Sequence, residues 1–457
     1  MAGSSIWFSV KWRWSRPNPS AIEPGFELHI EDVGDPAAPE VVPDHLGDLE
    51  DVPVQESRSE ELPGLFVATS ARKRDHIQVI ADADFVVIGG GVAGASVAYE
   101  LAASGTVVLM DMEPALGAQT TGRSAALVST AFKPPVIREL TMASLGFFAD
   151  PPPGFSEVSL LPRRPGRLMI AGGNASDSLE RIIEGEQAPF PMLSPAEALE
   201  LCPVLRQEYQ PRAVFDPECY EIDVHALISG YERQIKARSS FTMLDSKVRS
   251  LTRRGENWYV GNAAGVVVAA PVIINAAGAW GDGIARMAGV PRLGLQPELR
   301  SACTVPLPPD VHDDTWPFVV DVSQGFWFKK EGGQVMTSLS GGRSVPPAEP
   351  KPEPLDIAQT LDLLGKVSTL ESHHVKSSWA GLVTFLDDER PAAGFDVAAA
   401  GFFWLVGQGS AGIMTAPALS RAAAALVTGS PLPADLIGLG VTERALSPHR
   451  FATPSTL

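Results

Sequence analysis

Phe85-Val86-Val87-Ile88-Gly89-Gly90-Gly91-Val92-Ala93-Gly94 is the stretch that decides the fold. Four apolar residues without a breaker predict a buried strand. Three glycines end it, and the small residues Ala95 to Ala103 predict a helix that follows at once. After Gly105 a second apolar strand runs from Thr106 to Met110 and ends at Asp111. Strand, glycine turn, helix, strand and acid, in that order, form the βαβ unit that binds a dinucleotide. Gly89 allows the tight turn, Gly91 lets backbone approach a pyrophosphate, and Gly94 with Ala98 brings the helix close to the sheet. The pyrophosphate then meets unpaired N–H groups at a helix start, where the dipole also favours an anion. Asp111, twenty residues past Gly91, is placed to accept from adenosine ribose hydroxyls, and its charge disfavours a 2′-phosphate. A glycine turn without a ligand explains the turn but not the acid.

Around this unit the chain has 457 residues, 45% hydrophobic and 20% charged, enough for two or three domains with real cores. Lys+Arg 36 against Asp+Glu 54 gives a net charge of -18, which disfavours nucleic acid and anionic membranes as partners. Much of the excess lies in residues 22–61, where thirteen acids face the single base Arg58. With prolines between them, these residues bury too little apolar surface to offset ordering, so a disordered extension over residues 1–80 is expected. Residues 1–20 carry Trp7, Trp12 and Trp14 among basic residues but lack a secretory signal pattern. No stretch reads as an integral membrane segment. Cys202, Cys219 and Cys303 form no CxxC pair, so a reducing, cytoplasmic location is expected. No metal site is expected: His373 and His374 are adjacent and point apart, and no Cys or carboxylate spacing completes a set.

Three later runs extend the dinucleotide pattern. Gln119-Thr120-Thr121-Gly122-Arg123-Ser124-Ala125-Ala126 brings hydroxyls, N–H groups and a cation beside the diphosphate. Val272-Ile273-Ile274-Asn275-Ala276-Ala277-Gly278 is a buried strand entering a tight turn. Phe402-Phe403-Trp404-Leu405-Val406 is another strand, followed by Gly407-Gln408-Gly409-Ser410-Ala411-Gly412-Ile413 and a small-residue helix to Leu426. A helix starting there directs N–H groups at one point, where they stabilise negative charge.

These runs resemble the amine- and amino-acid-oxidising flavoproteins of the D-amino-acid oxidase superfamily over about residues 84–448. Within it the chain is similar to bacterial D-arginine dehydrogenase, on Phe215-Asp216-Pro217, Glu221-Ile222-Asp223, Leu293-Gly294-Leu295-Gln296-Pro297 and Ser378-Trp379-Ala380-Gly381-Leu382. The resemblance implies non-covalent FAD held by Gly89, Gly91, Gly94, Asp111, Thr120, Thr121, Gly122, Arg123, Ser124, Val248, Ala276, Gly278, Gly409, Ser410, Ala411, Gly412 and Ile413. It also implies an α/β (α+β) fold: a Rossmann-like FAD-binding domain (84–160, 215–290, 380–446) interleaved with a substrate domain on a mostly antiparallel sheet (161–214, 291–379), then a tail, 447–457.

The substrate end departs from that family. Its histidine and tyrosine after the GRSAA-like run are Leu127 and Phe132 here, and its substrate-contacting glutamate falls at Gly166. Its tyrosine on a middle strand becomes Trp327, and its carboxylate-binding arginine becomes Val383. Arg300 matches a family arginine, and Gln408 completes the pocket. A carboxylate buried without its guanidinium costs several kcal/mol, so cationic D-amino acids are expected to be poor substrates. Arg390 and Lys329 are candidates to replace part of the missing cation, though the more ordinary reading of both is a solvated face. The implied activity is oxidation of a C–N bond in an apolar or modified amine or D-amino acid, with oxygen or a quinone-like acceptor. Arg300 would hold an acidic group and Trp327 would wall the site. The alternatives are a catalytically impaired FAD-binding or assembly protein and a tailoring amine oxidase of a biosynthetic route.

Overall fold

The computed structural model describes residues 8–12, 28–32, 79–131, 134–172, 179–180, 190, 192–308, 311, 316–372 and 374–450. The chain divides into two compact units, Met1–Glu61 and Leu62–Leu457. In the first, Phe8–Trp12 pairs antiparallel with Leu28–Asp32. The rest of the leader and of the acidic stretch lies outside the described residues. The expected extension to residue 80 is too long at its end, because Val79–Asp82 is already a strand of the second unit.

The apolar runs around the glycine turn form a six-stranded sheet. Its order is Phe241–Met243, Val107–Met110, Phe85–Ile88, Val272–Asn275, Phe402–Val406 and Ala392–Phe395. All neighbours are parallel except the last pair. Both faces are covered, which is why these strands read as continuous apolar runs. Val87, Val107, Leu109, Phe403 and Leu405 face a core shared with the helices Val92–Leu101, Pro135–Ala149 and Gly412–Val427. Val86, Ile88, Val108, Met110, Phe402 and Trp404 face a second core. There they meet the four-stranded sheet Val248–Arg254, Asn257–Asn262, Val267–Ala270 and Val79–Asp82. Among the described residues, Gly409–Val427 is the one helix long and apolar enough to cross a membrane, and most of it is buried inside the protein.

The other large element is a nine-stranded, mostly antiparallel sheet. Its main path runs Arg343–Ser344, Gln296–Pro306, Gln334–Leu339, Phe326–Glu331, Phe318–Asp321, Arg167–Ala171, Arg212–Asp216 and Met192–Leu193. Ser377–Phe385 joins it along Gln296–Pro306, in register from Gln296↔Phe385 to Thr304↔Ser377. Residues 380–385 therefore belong to this sheet and not to the dinucleotide domain. Their nine-residue ladder with a long neighbour outweighs closeness in sequence to the returning strand. Likewise 215–216 complete a strand of the large sheet. The Pro346–Pro354 loop is tied to this sheet: Val345 N–H donates to Pro297 O (3.0 Å) and Glu353 N–H to Ser301 Oγ (2.9 Å). In the tail, Arg450 holds Asp388 through two 2.7 Å hydrogen bonds.

Candidate active site

The glycine turn meets the large sheet across a cavity of about 580 Å³. Its nucleotide half is built at strand ends. Gly89, with φ +106°, lies against the Ala276–Ala277 backbone, where a Cβ would come within 2.5 Å of Ala276 O. A Cβ on Gly94 would stand 1.7 Å from Gly89 O, so only glycine lets the helix approach the turn. A Cβ on Gly91 would meet nothing nearer than Thr121 Oγ1 at 3.4 Å, so the turn opens to the cavity there. Gly91 at the N-cap brings no capping side chain of its own, and Thr121 Oγ1 accepts from the first helical N–H, that of Val92 (3.0 Å). An open turn at a helix start with a glycine N-cap fits a dinucleotide pyrophosphate.

Asp111 lines the cavity, and one carboxylate oxygen accepts from Gly90 N–H while the other accepts from Glu113 N–H (2.7 Å). Burial pushes its pKa up, against these hydrogen bonds. The residue thus braces the glycine turn from the cavity wall. Arg123 also lines the cavity, but its donors reach Ala118 O (3.1 Å), Ala380 O (3.0 Å) and Glu349 Oε1 (3.1 Å). Its guanidinium ties the segment 118–123 to the large sheet and to Glu349, whereas the sequence leads to the expectation of a cation beside the diphosphate. Thr120 Oγ1 donates to Leu382 O (2.8 Å) in the same seam. Ser124, Val248, Ala276, Gly278, Gly409, Ser410, Gly412 and Ile413 line the cavity, but Gly94, Gly122 and Ala411 do not. Gly122 is packed on Gly117 O, where a Cβ would come to 2.8 Å, and Ala411 is buried at the helix start.

The substrate half is one face of the large sheet. Arg300, Trp327, Leu127, Val383 and Gln408 all line it. Arg300 Nη2 donates to Glu298 Oε2 (2.9 Å) and its guanidinium lies 5.3 Å from the Phe385 ring centre, while its buried Nε has no partner. The Trp327 and Phe318 rings stand 5.5 Å apart. Phe132 lies outside the described residues, as does His373.

Two expectations fail here. Gly166 is not in the wall: at φ +72° it packs on Phe215, whose ring a Cβ would meet at 2.5 Å. The residue that lines the cavity is the next one, Arg167, because side chains alternate faces along a strand. Lys329 and Arg390 do not supply a cavity cation either. Lys329 is buried with Glu331 Oε2 (2.5 Å) and Glu221 Oε1 (3.7 Å), and Arg390 pairs with Asp388 (3.4 Å). Sequence reasoning missed Arg167, Ser129, Cys219, Lys247, Phe318, Val320, Met336, Ser338 and Ser340 in the wall. The period-2 alternation of Phe318 with Val320 and of Met336 with Ser338 was the available signal. Burial pushes the Cys219 thiol up to about 12, so it is no thiolate nucleophile. Among the described residues no cluster of His, Cys, Asp or Glu could hold a metal ion.

A parallel dinucleotide sheet opening onto an antiparallel sheet, with one cavity across the join, defines a two-domain flavin-dependent oxidoreductase. The chain belongs to the FAD dependent oxidoreductase (DAO) family, whose model matches residues 84–426. It is 26% identical over 403 residues to mouse FAD-dependent oxidoreductase domain-containing protein 1, covering 76% of this chain and 81% of that one. Among solved structures it is similar to glycine oxidase from Geobacillus kaustophilus (TM-score 0.68, 19% identity, 79% of this chain and 98% of that one). It is also similar to L-proline dehydrogenase from P. horikoshii (TM-score 0.66, 20% identity, 81% and 98%). FAD is its cofactor. The comparisons reach the superfamily and single out no one relative such as D-arginine dehydrogenase.

Proposed function

We propose that the chain uses FAD to oxidise the C–N bond of an amine or amino acid, apolar or modified rather than cationic, to an imine that water hydrolyses. The observation that carries this reading is the single cavity joining the glycine turn and Asp111 to the sheet face that holds Arg300 and Trp327. When bound, FAD supplies the two-electron acceptor. The chain's own residues bind and orient. Asp111 serves the ribose, and the helix starts at Val92 and Gly412 serve the pyrophosphate and the ring. Leu127, Phe318 and Trp327 exclude water, and the Arg300 guanidinium takes an acidic group. The likeness to D-arginine dehydrogenase supports architecture but not its specificity, because among the described residues no carboxylate lines the substrate half. Three free, buried cysteines fit a reducing compartment such as the cytoplasm.

Anaerobic mixing of the FAD-loaded protein with an amine and D-amino-acid panel tests this through loss of flavin absorbance. Bleaching by neutral or acidic members and not by D-arginine is expected; preferential bleaching by D-arginine would overturn the specificity. The apolar Val383 in the wall favours one second reading, an FAD-binding or assembly role without turnover. Retained FAD with no bleaching by any member would select it. Reoxidation by oxygen against a quinone analogue then identifies the acceptor.

A further inference from the structure

The rim of the nucleotide half carries a charge opposite to that of the whole chain. Between Asp245 and Arg292 six cations, Lys247, Arg249, Arg253, Arg254, Arg286 and Arg292, face three acids, in a protein whose net charge is -18. All six are exposed, and among the described residues none has an ion-pair or hydrogen-bond partner for its side chain. Of the acids, Asp282 is engaged by the N–H groups of Leu293 (3.0 Å), Gly294 (3.2 Å) and Leu295 (3.0 Å), which leaves Asp245 and Glu256.

The fold gathers these cations at one end of the cavity. Lys247 lies in the cavity wall directly before Val248. Arg249 falls where the register between Val248–Arg254 and Asn257–Asn262 shifts, an irregularity of the kind that re-aims a side chain. The helix Gly281–Met287 packs on that strand through a shared core of Val248, Leu251, Ile284 and Ala285, which brings in Arg286 beside the wall residue Met287. Val290 belongs to the same core, and Arg292 is two residues on. Lys247 and Met287 are exposed as well as cavity-lining, so the cavity opens to solvent at this end.

Val248–Arg254 is the outer strand of its sheet, and cations on an edge deter the addition of another strand. That accounts for Arg253 and Arg254, but not for a cation in the cavity wall or for Arg292 beyond the helix. Deeper in the nucleotide half, Arg123 is already held by Ala118 O, Ala380 O and Glu349. The cations left for an incoming anion therefore stand at the mouth. A dinucleotide brings its diphosphate charge toward a protein of the same sign, so its approach is slow unless a local field overrides the net one. Screening over ~10 Å at 0.1 M salt hides distant acids and leaves the nearby cations in force.

We propose that this basic rim is an electrostatic entry funnel. It draws the FAD diphosphate to the cavity mouth and sets the rate of cofactor loading, while release is governed by the glycine turn and Asp111.

Stopped-flow mixing of flavin-stripped protein with FAD, followed by flavin fluorescence, measures the loading rate directly. Arg249→Glu with Arg286→Glu should slow loading ~10-fold or more at low salt, and the difference should vanish at about 1 M salt, where screening falls to about 3 Å. The rate at which FAD leaves on dilution should not change. Lys236→Glu with Arg444→Glu reverses as many exposed charges on helices packed against the opposite face of the six-stranded sheet, and should load near the wild-type rate. Arg249→Lys with Arg286→Lys should also load like wild type. If the reversal at the rim does not fold, Arg249→Gln with Arg286→Gln should show a smaller slowing with the same salt dependence. Equal slowing by the two distant reversals would make this an effect of net charge and overturn the funnel. Loading that ignores salt, or a change confined to release, overturns it as well.

Discussion

At Gly94 there is no room for a methyl group: a Cβ would lie 1.7 Å from Gly89 O. Gly94→Ala should therefore push the helix off the glycine turn and yield protein without flavin, measured as the ratio of flavin to protein absorbance. Asp111→Ala removes both the brace on Gly90 and the ribose acceptor, and two such hydrogen bonds predict a loss of FAD affinity of ~10-fold or more in a fluorescence titration. On the same helix, burial pushes Glu100 up to about 7, partly opposed by Arg421 and Arg238. The folded protein thus holds a proton that the unfolded chain releases near 4.5. Its stabilisation is complete below that pH and is lost as pH rises through about 7. Glu100→Gln should raise Tm at pH 8 relative to wild type and change it little at pH 4. The glycines and Asp111 were legible because each answers to spacing within one βαβ unit. Arg167 was not, because a one-residue slip at Gly166 moves the side chain to the opposite face of a strand whose partners lie far away in sequence.

The loop between Val345 and Glu353 shows how an element can join the large sheet to the cavity segment that carries Gln119 and Arg123. Its ends are bonded to the Gln296–Pro306 strand, and in its middle Glu349 accepts from Gln119 Nε2 (2.9 Å) and Arg123 Nη2 (3.1 Å), both cavity residues. Glu349→Gln weakens this tie, and FAD should leave the variant several-fold faster in a dilution experiment, with little change in Tm because the pair is exposed. The strand Ser377–Phe385 shows where pattern reading stops. Its apolar character was plain, but which sheet it joined depended on a ladder with residues some eighty positions earlier. The parallel sheet was easier, because two buried faces leave an unbroken apolar run in each strand.

In the whole molecule, the cavity wall is drawn from separate stretches between Ile88 and Met414, all within the unit Leu62–Leu457. FAD should therefore stabilise that unit as one body. At a hundredfold excess over Kd, linkage adds ~2.7 kcal/mol, which for about 400 residues amounts to roughly 3 °C in Tm by thermal shift. No shift on adding FAD to stripped protein would contradict the site described here. The antiparallel character of the large sheet was implied by the family resemblance, but its nine-strand order was not, since only tertiary contacts decide which strands meet.

The strand Phe402–Val406 lies inside the six-stranded sheet, between Val272–Asn275 and Ala392–Phe395, and the turn after it supplies the last part of the wall. On the ribosome, the first glycine turn emerges early and finds Asp111 and the Ala276–Ala277 backbone, but the sheet beside Val272–Asn275 stays open until this late strand is made. A premature stop before Phe402 would leave a gap in mid-sheet and strip the last part of the cavity wall, so a truncation that removes this strand should be read as a null allele rather than a trimmed enzyme.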